Sequence, residues 1–485
     1  MASTLVELCG LISSSVATVD ARCKALSRTY PNLNNPTNPA EDESVVQDTE
    51  IVEAASIALA AASQLIAHLQ LPARSVLETS LSFLVSAAMG VVTASATAEI
   101  IREAGPQGCH INDIAKKNGM DPMKIGKLQY TAIDSNKFTV PTARVLRPLA
   151  TQHIFREVSP DVFAHNRISA MLDTGKSSQA VLDAPEDKHQ GAKGFAAIIE
   201  LNTDETFKAG AYIQDVVIKA PPENEADELD TPLNRAFNTH VGLFSWFERP
   251  ENRVRFRRFG MAMDAGRRVS PPGSASQRFN WSALPERTLI VDVGAGIGSF
   301  SLAIAKANPK LRFMMQDRAS VIEEGKEYWE KELPGAAASG RVSFQAHDFF
   351  SSQPIKDAGI FLISRICHDW SDSYVLKILK HLRNAAQPTT KLMIQERIIP
   401  FVCGEDESYR HIPGAMPNTT PPKPLLANMG SIVPYLIDMQ MMALLSGSER
   451  TLPHYWRLTK EAGWEIEEVY RAGNDPMNQL VLRPI

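Results

Sequence analysis

Leu289-Ile-Val-Asp-Val-Gly-Ala-Gly-Ile-Gly-Ser-Phe300 is the stretch on which the fold turns. An apolar run of strand formers ends in glycines at 294, 296 and 298, and the spacing predicts a helix over Ser301–Asn308. Glycine lets the backbone come close to a bound ligand, and a helix N-terminus offers free N–H groups. The pattern is G-x-G-x-G. Ser299 stands where a dinucleotide fingerprint would want its last glycine, so the turn alone points only to a nucleotide-like ligand.

Downstream, strand-like and helix-like segments alternate, as in a parallel sheet with crossover helices. The strands expected are 289–293, 312–316, 342–346, 359–364, 391–396, 464–470 and 479–483, with further helices over 372–384 and 453–462. Asp317 ends the second strand about 20 residues beyond the glycine turn, where a carboxylate accepts from ribose hydroxyls. His347-Asp348-Phe349 ends the third, where a carboxylate accepts from an adenine amino group and a ring stacks on the base. Either acid taken singly is equally a loop or cap residue. Together they mark the ligand crevice of an open α/β sheet.

The fourth strand runs into Arg365-Ile-Cys-His-Asp-Trp-Ser-Asp372. His368 thus follows a strand's C-terminal end, and a histidine pKa near 6.5 allows proton uptake near neutrality. The competing reading is a histidine capping the next helix. Glu396 ends the fifth strand and Glu449 lies in Ser446-Gly-Ser-Glu-Arg-Thr451. A carboxylate on the far ring nitrogen fixes a histidine's tautomer and stabilises the imidazolium. Either glutamate can instead pair with Arg397 or Arg450.

Upstream, residues 1–30 and 44–70 have helical apolar spacing, and a third helix is expected from Ser75 to Ala104. The apolar stretch Leu81–Ile101 contains Ser, Thr and Gly and is read as a buried helix, not a membrane span. Residues 108–169 read as a winged helix, with a helix from Ile111 stopping at Gly119, another capped by Asp121, and wing strands at 155–158 and 162–165. Lys127–Ala143 interrupts an amphipathic pattern and is either an inserted segment, such as a translated intron, or a surface loop. The division expected is a helical region 1–107, a winged helix 108–175, a helical connector 176–280 and a catalytic domain 281–485.

The formal net charge of −5 argues against a nucleic-acid binder. Five cysteines without a CxxC pair give no zinc signal and fit a reducing compartment. With no secretory pattern at the N-terminus, a cytoplasmic enzyme without a metal site is expected.

In VDVGAGIGSF, CHDWSD, ERIIP and GSERT, taken in order, the chain resembles the plant and fungal small-molecule O-methyltransferases of the caffeate and flavonoid type, from about residue 50 onward. The resemblance implies a class I methyltransferase α/β fold with a seven-stranded Rossmann-like sheet and an N-terminal all-α and winged-helix domain that builds a homodimer. It implies S-adenosyl-L-methionine as cofactor, with Gly294, Gly296 and Gly298 along its methionine part, Asp317 on the ribose, and Asp348 with Phe349 at the adenine. It makes His368 the general base, flanked by Glu396 and Glu449, and the partner a small hydroxylated acceptor. Phe237, Phe244, Trp246, Met261, Met439 and Met442 are candidates for a flat apolar acceptor pocket, each also readable as plain core. One departure is Ser364, four residues before His368, where the family carries Lys or Arg; Arg365 follows it. Two other readings remain open: a methyltransferase-fold enzyme that uses the cofactor for cyclisation or pericyclic rearrangement, and a DNA-binding regulator.

Overall fold

The computed structural model describes residues 3–35, 45–120, 143–192, 195–218, 230–267, 278–417, 420–471 and 477–485. The chain forms two compact units, Met1–Ile218 with Pro232–Val269, and Lys219–Thr231 with Ser270–Ile485.

The second unit is built on a seven-stranded sheet. Its strands are β4 (Leu289–Val293), β5 (Arg312–Asp317), β6 (Val342–Ala346), β7 (Ile360–Ser364), β8 (Lys391–Glu396), β9 (Trp464–Tyr470) and β10 (Asn478–Pro484). They lie in the order β6-β5-β4-β7-β8-β10-β9. β10 runs antiparallel to both its neighbours, and the other pairs are parallel. This is the class I methyltransferase fold. Strand order reverses between β4 and β7, and open α/β sheets bind ligands at that switch point.

Central strands of such a sheet are covered on both faces, so they read as continuous apolar runs. Side-chain alternation then sorts each strand between two cores. Val291, Val293, Phe361, Ile363, Leu392 and Ile394 go to one. Ile290, Leu362, Phe313, Met315 and Met393 go to the other. The helix Asp372–Ala385 buries Val375, Ile378, Leu379 and Leu382, a 3-4 spacing that lays one stripe on the sheet. Trp464, fully buried, fills the space beside it and donates its indole N–H to the Leu379 carbonyl at 3.1 Å.

The first unit opens with helices Thr4–Ala25 and Thr49–Leu69, capped by the Ser3 and Asp48 side chains. Asp48 also ties the pair together through Arg22 at 2.8 Å. The expected single helix over 75–104 is three: Pro72–Leu81, Phe83–Ala94 and Thr97–Ala104. The Ser82 and Ser95 hydroxyls bond the Thr79 and Val91 carbonyls, competing with the helical ladder, and Ala96 takes a left-handed φ of 53°. The expectation of a wholly buried 81–101 stretch is also corrected. Leu81, Phe83 and Leu84 are about half exposed, whereas Val92, Ile100 and Ile101 are buried. Three helical stretches, Thr4–Ala25, Thr49–Leu69 and Pro72–Ala94, are long and apolar enough to cross a membrane by length and composition.

A small antiparallel sheet follows, ordered β1 (Cys109–His110), β3 (Val162–Ala164), β2 (Arg156–Ser159). It accompanies helices Ile111–Asn118, stopped by Gly119 at φ 67°, and Ala143–Thr151. The Asp121-capped helix and residues 127–142 of the interrupting segment lie outside the described residues. Part of the expected helical connector 176–280 is also divided, into Pro232–Ala236, Leu243–Phe247 and Arg253–Arg267. Asn234 causes one break: its amide donates to the Thr239 and Val241 carbonyls and so closes the intervening turn.

Trp464→Ala removes a full indole and leaves the Leu379 carbonyl without that donor. The loss expected in denaturant unfolding is about 3–5 kcal/mol, with Trp464→Phe losing less.

Candidate active site

At the C-terminal end of β4 the three glycines all have positive φ, 73°, 57° and 77° at 294, 296 and 298. Their reasons differ. A Cβ on Gly294 would lie 2.5 Å from the Ile366 side chain, and one on Gly298 would lie 2.5 Å from Trp329 Nε1. Those two are glycines because the protein itself presses on them. A Cβ on Gly296 would meet nothing within 4 Å, so this glycine borders open space. Asp317 Oδ2 accepts the Gly296 N–H at 2.7 Å, so the acid expected at the ribose also holds the turn open.

Below the turn lies Asp292, buried to 2% exposure. Its Oδ2 accepts from the Ser301 hydroxyl at 2.6 Å, and its Oδ1 has no hydrogen-bond partner among the described residues. Burial pushes this carboxyl up to about 7, against the Ser301 bond that favours the anion. Phe349 approaches the glycine turn from the end of β6, with its ring in ordinary contact range of a Gly294 Cβ and edge-on to Phe350 at 4.8 Å. Asp348 is exposed, and its Oδ1 accepts the Phe350 N–H at 3.0 Å, so it organises its own loop. The open space at Gly296, the adjoining Asp317 and the orphaned Asp292 oxygen fit a polar cofactor seated at this turn.

Across the switch point, β7 ends in Ser364, which stays in register opposite Gln395 and donates to its amide oxygen at 3.3 Å. Arg365 then takes a left-handed φ of 56°. Its charge works against ionisation penalties at Asp292 and Asp369, lowering both. The cation missing at 364 is therefore supplied one residue later.

The turn after β7 carries His368 in a short 3-10 segment, Cys367–Asp369. Glu396, at the end of β8 and 1% exposed, accepts the Ile366 and Cys367 N–H groups on Oε1 at 2.8 and 2.7 Å. Its Oε2 lies 3.9 Å from His368 Nδ1. Glu449 Oε1 lies 3.0 Å from the same Nδ1. The Glu449 backbone N–H is held by Asp438 at 2.8 Å, and Asp438 stands on the helix Val433–Leu444. On the other side of the ring, Asp369 Oδ1 is 3.4 Å from Nε2. Once the ring is neutral, with Nδ1–H donated to Glu449, Nε2 carries the lone pair.

Burial opposes a charged ring here, yet Glu396, Asp369 and Glu449 outweigh it and push His368 up to about 10. Burial in turn pushes Glu396 up to about 7 and Asp369 up to about 6. Neither expected ion pair dominates. Arg397 reaches Glu449 only at 3.8 Å, and Arg450 bonds Asp372. The helix-cap alternative for His368 also has no support, since the Asp372–Ala385 helix lacks a side-chain cap bond. His368, Glu396 and Glu449 offer ligand atoms within 4.8 Å of one another, a set that a divalent cation could also use.

The acceptor candidates are divided. In the first unit, Phe237 and Trp246 pack at 4.6 Å, with Arg255 over both rings. Trp246 is buried, which suits core as well as pocket. Phe244 packs edge-on to Phe259, and Met261 leans on the Ala197, Leu201 and Ala262 cluster. In the second unit, Met439 is exposed and Met442 half-buried on the 433–444 helix. Sequence reading passes over Asp292, Asp369 and Gly447. Asp369 adjoins His368 in the CHDWSD motif, which is a usable signal. Gly447 has none, because its reason is tertiary: a Cβ there would overlap the His368 carbonyl oxygen.

Residues 227–411 match a family model described as O-methyltransferase domain. The chain is 39% identical to an O-methyltransferase of Armillaria gallica over 491 residues, covering 100% of this chain and 98% of that one. It is 37% identical to a 4-O-methyltransferase of Phanerochaete chrysosporium over 487 residues, covering 99% of each. Among solved structures, the mitomycin 7-O-methyltransferase MmcR shares the fold with a TM-score of 0.60 at 20% identity, over 87% of this chain and 99% of that one. LepI, solved with S-adenosylhomocysteine and a substrate analogue, shares it with a TM-score of 0.62 at 18% identity, over 91% of this chain and 97% of that one.

The glycine geometry separates two effects. Gly298→Ala should lower the melting temperature, because its methyl group meets Trp329. Gly296→Ala carries only the left-handed backbone penalty of roughly 1 kcal/mol. It should weaken S-adenosylhomocysteine binding by at least about tenfold in calorimetry, since the methyl group enters the open space.

Proposed function

Because the chain belongs to the S-adenosylmethionine-dependent O-methyltransferase family, we propose that it methylates a hydroxyl of a small aromatic or polyketide-like acceptor, with His368 as general base. The observation that carries this reading is the 3.0 Å contact between His368 Nδ1 and the buried Glu449, placed at the switch point beside the glycine turn. S-adenosylmethionine, when bound, supplies a methyl group on a sulfonium, already activated for transfer to oxygen.

The chain's own residues then have three tasks. Gly296, Asp317, Phe349 and Asp348 seat the cofactor, and Asp292 and Arg365 set the charge around it. Glu449 holds Nδ1–H, so the Nε2 lone pair faces the acceptor hydroxyl and takes its proton as the oxygen–methyl bond forms. Glu396 holds the turn that bears the ring. Met439 and Met442, on the Val433–Leu444 helix of the unit that carries His368, suit a flat apolar acceptor better than a charged one. We also read the exposed apolar side chains Leu59, Ile66, Leu69, Val76 and Leu77 as a surface for a second copy of the chain. Sedimentation at micromolar concentration should show a dimer, and a monomer there would remove that part of the reading.

The carboxylates around His368 make it a stronger base and also keep the free ring protonated at neutral pH. Turnover should therefore rise as pH climbs above neutrality. Glu449→Gln removes one of the charges that raise the ring's proton affinity, so the rising limb should move to lower pH while maximal turnover falls. Transfer of labelled methyl to a panel of phenols and polyketide-like hydroxyl compounds tests the whole reading. His368→Ala should reduce turnover by about 10²–10⁴-fold, and dialysis against a chelator should leave it unchanged. Undiminished transfer in His368→Ala would exclude the general base. Chelator-sensitive transfer would move the His368, Glu396 and Glu449 set to metal binding. Consumption of an acceptor without methyl transfer would favour the rearrangement chemistry instead.

A further inference from the structure

We propose that Arg450 is a positioning residue for His368, holding the ring against Glu449 by clamping the backbone on both sides of it. The proposal rests on the reading of His368 as the base. Arg450 is 1% exposed. Its Nη1 donates to the Cys367 carbonyl at 2.6 Å and its Nη2 to the Trp370 carbonyl at 2.7 Å, so one guanidinium spans the turn from the residue before His368 to the second after it. Nη1 also reaches the Ser448 carbonyl at 3.2 Å, and Nε bonds Asp372 Oδ1 at 3.0 Å.

The clamp is closed from the opposite direction by Glu396, which takes the Ile366 and Cys367 N–H groups. Donors of the turn go to Glu396 and acceptors to Arg450, leaving the peptide frame around His368 little freedom. The segment that delivers Arg450 pairs with the chain just beyond β8, through the Ile398–Arg450 bridge and the Ile399 N–H to the Arg450 carbonyl at 3.1 Å. Consecutive side chains of an extended segment point to opposite sides. Glu449 therefore meets the His368 ring while Arg450 meets the His368 turn, and one segment sets both ends of the contact. Gly447 brings this segment so close that a side chain there would strike the His368 carbonyl.

A buried guanidinium is expensive to desolvate, and a packed apolar side chain of similar size is often as stable or more so. Bulk stability is thus a weak reason for an arginine at this place. Four directed donors to one turn, its own segment and the following helix give a geometric reason. Asp372 continues the connection to the next helix through His454 Nε2 at 2.6 Å, which helps hold the carboxyl at about 2. The charged groups facing His368 itself are Glu396, Glu449 and Asp369, with Arg397 behind Glu449.

The test uses the full chain as Arg450→Met, Arg450→Lys and Asp372→Ala. The readouts are S-adenosylhomocysteine affinity, kcat against KM for the acceptor, and the titration of His368 by NMR in ¹³C-histidine-labelled protein, with its resonance assigned by its loss in His368→Ala. Arg450→Met should bind the cofactor product within about threefold of wild type, lose about 100-fold in kcat with KM little changed, and titrate His368 at lower pH as the ring drifts from Glu449. Arg450→Lys, which keeps charge and can reach one carbonyl, should recover about tenfold of that loss. Wild-type His368 titration in a folded Arg450→Met protein overturns the proposal. If Arg450→Met does not fold, Asp372→Ala decides: it removes the acceptor that anchors Nε from a half-exposed side chain, and an unmoved His368 titration overturns the proposal equally. Should His368→Ala keep full turnover, the general-base reading fails, and the NMR titration still decides whether Arg450 positions the ring.

Discussion

One buried carboxylate organises the site. Glu396 Oε1 takes two backbone N–H groups from the turn after β7, and this makes the C-terminal ends of β7 and β8 a single rigid platform. A turn at that place would otherwise leave buried amide donors unsatisfied, at a cost of about 1–3 kcal/mol each. The chain meets that cost with a side chain whose other oxygen faces the His368 ring. Structural and chemical demands thus fall on one residue, so Glu396 cannot be altered for one purpose without disturbing the other.

The second consequence is electrostatic. Three carboxylates converge on one imidazole within a site that excludes most water. Burial first, and their mutual repulsion after it, raises the affinity of Glu396 and Asp369 for protons, while against burial their combined field raises that of His368. The protonation states of His368, Glu396 and Asp369 are thereby coupled. On the reading proposed for His368, the neighbours that strengthen the base also decide the pH at which it is free.

The first unit handles charge differently. Arg258, nearly buried, bonds Asp204 at 2.9 Å and also Glu205, while Lys188 bonds Glu200 at 2.7 Å. Here oppositely charged groups neutralise one another, and against the cost of burial the pairing holds Glu200 and Asp204 down at about 2. Balanced pairs of this kind fix packing between helices. The cluster at His368 is unbalanced by contrast, with Glu396, Glu449 and Asp369 set around one imidazole.

Much of the second unit was legible in sequence because its signals are local. Apolar strands such as Ile290–Val293, glycines before a helix, and the 3-4 spacing of Val375 to Leu382 each record a neighbour only a few residues away. The helices of the first unit were less legible at their ends, because the breaks at Ser82, Ala96 and Asn238 depend on side-chain competition for particular carbonyls and on turns closed by residues such as Asn234. His368, Glu396 and Glu449 could be named from sequence as residue types at strand ends and in a motif. That Glu449 is the one at hydrogen-bond distance, that Glu396 serves the backbone, that Arg450 bonds carbonyls of the His368 turn, and that Gly447 must lack a side chain are facts of contact between segments far apart in the chain, 30 residues for Glu396 and Ile366 and 81 for His368 and Glu449. Sequence by itself determined the periodicity and the chemical inventory of this protein. Only the tertiary structure decided which members of that inventory touch, because hydrogen bonds and steric overlap act over a few ångströms in space and leave no periodic trace along the chain.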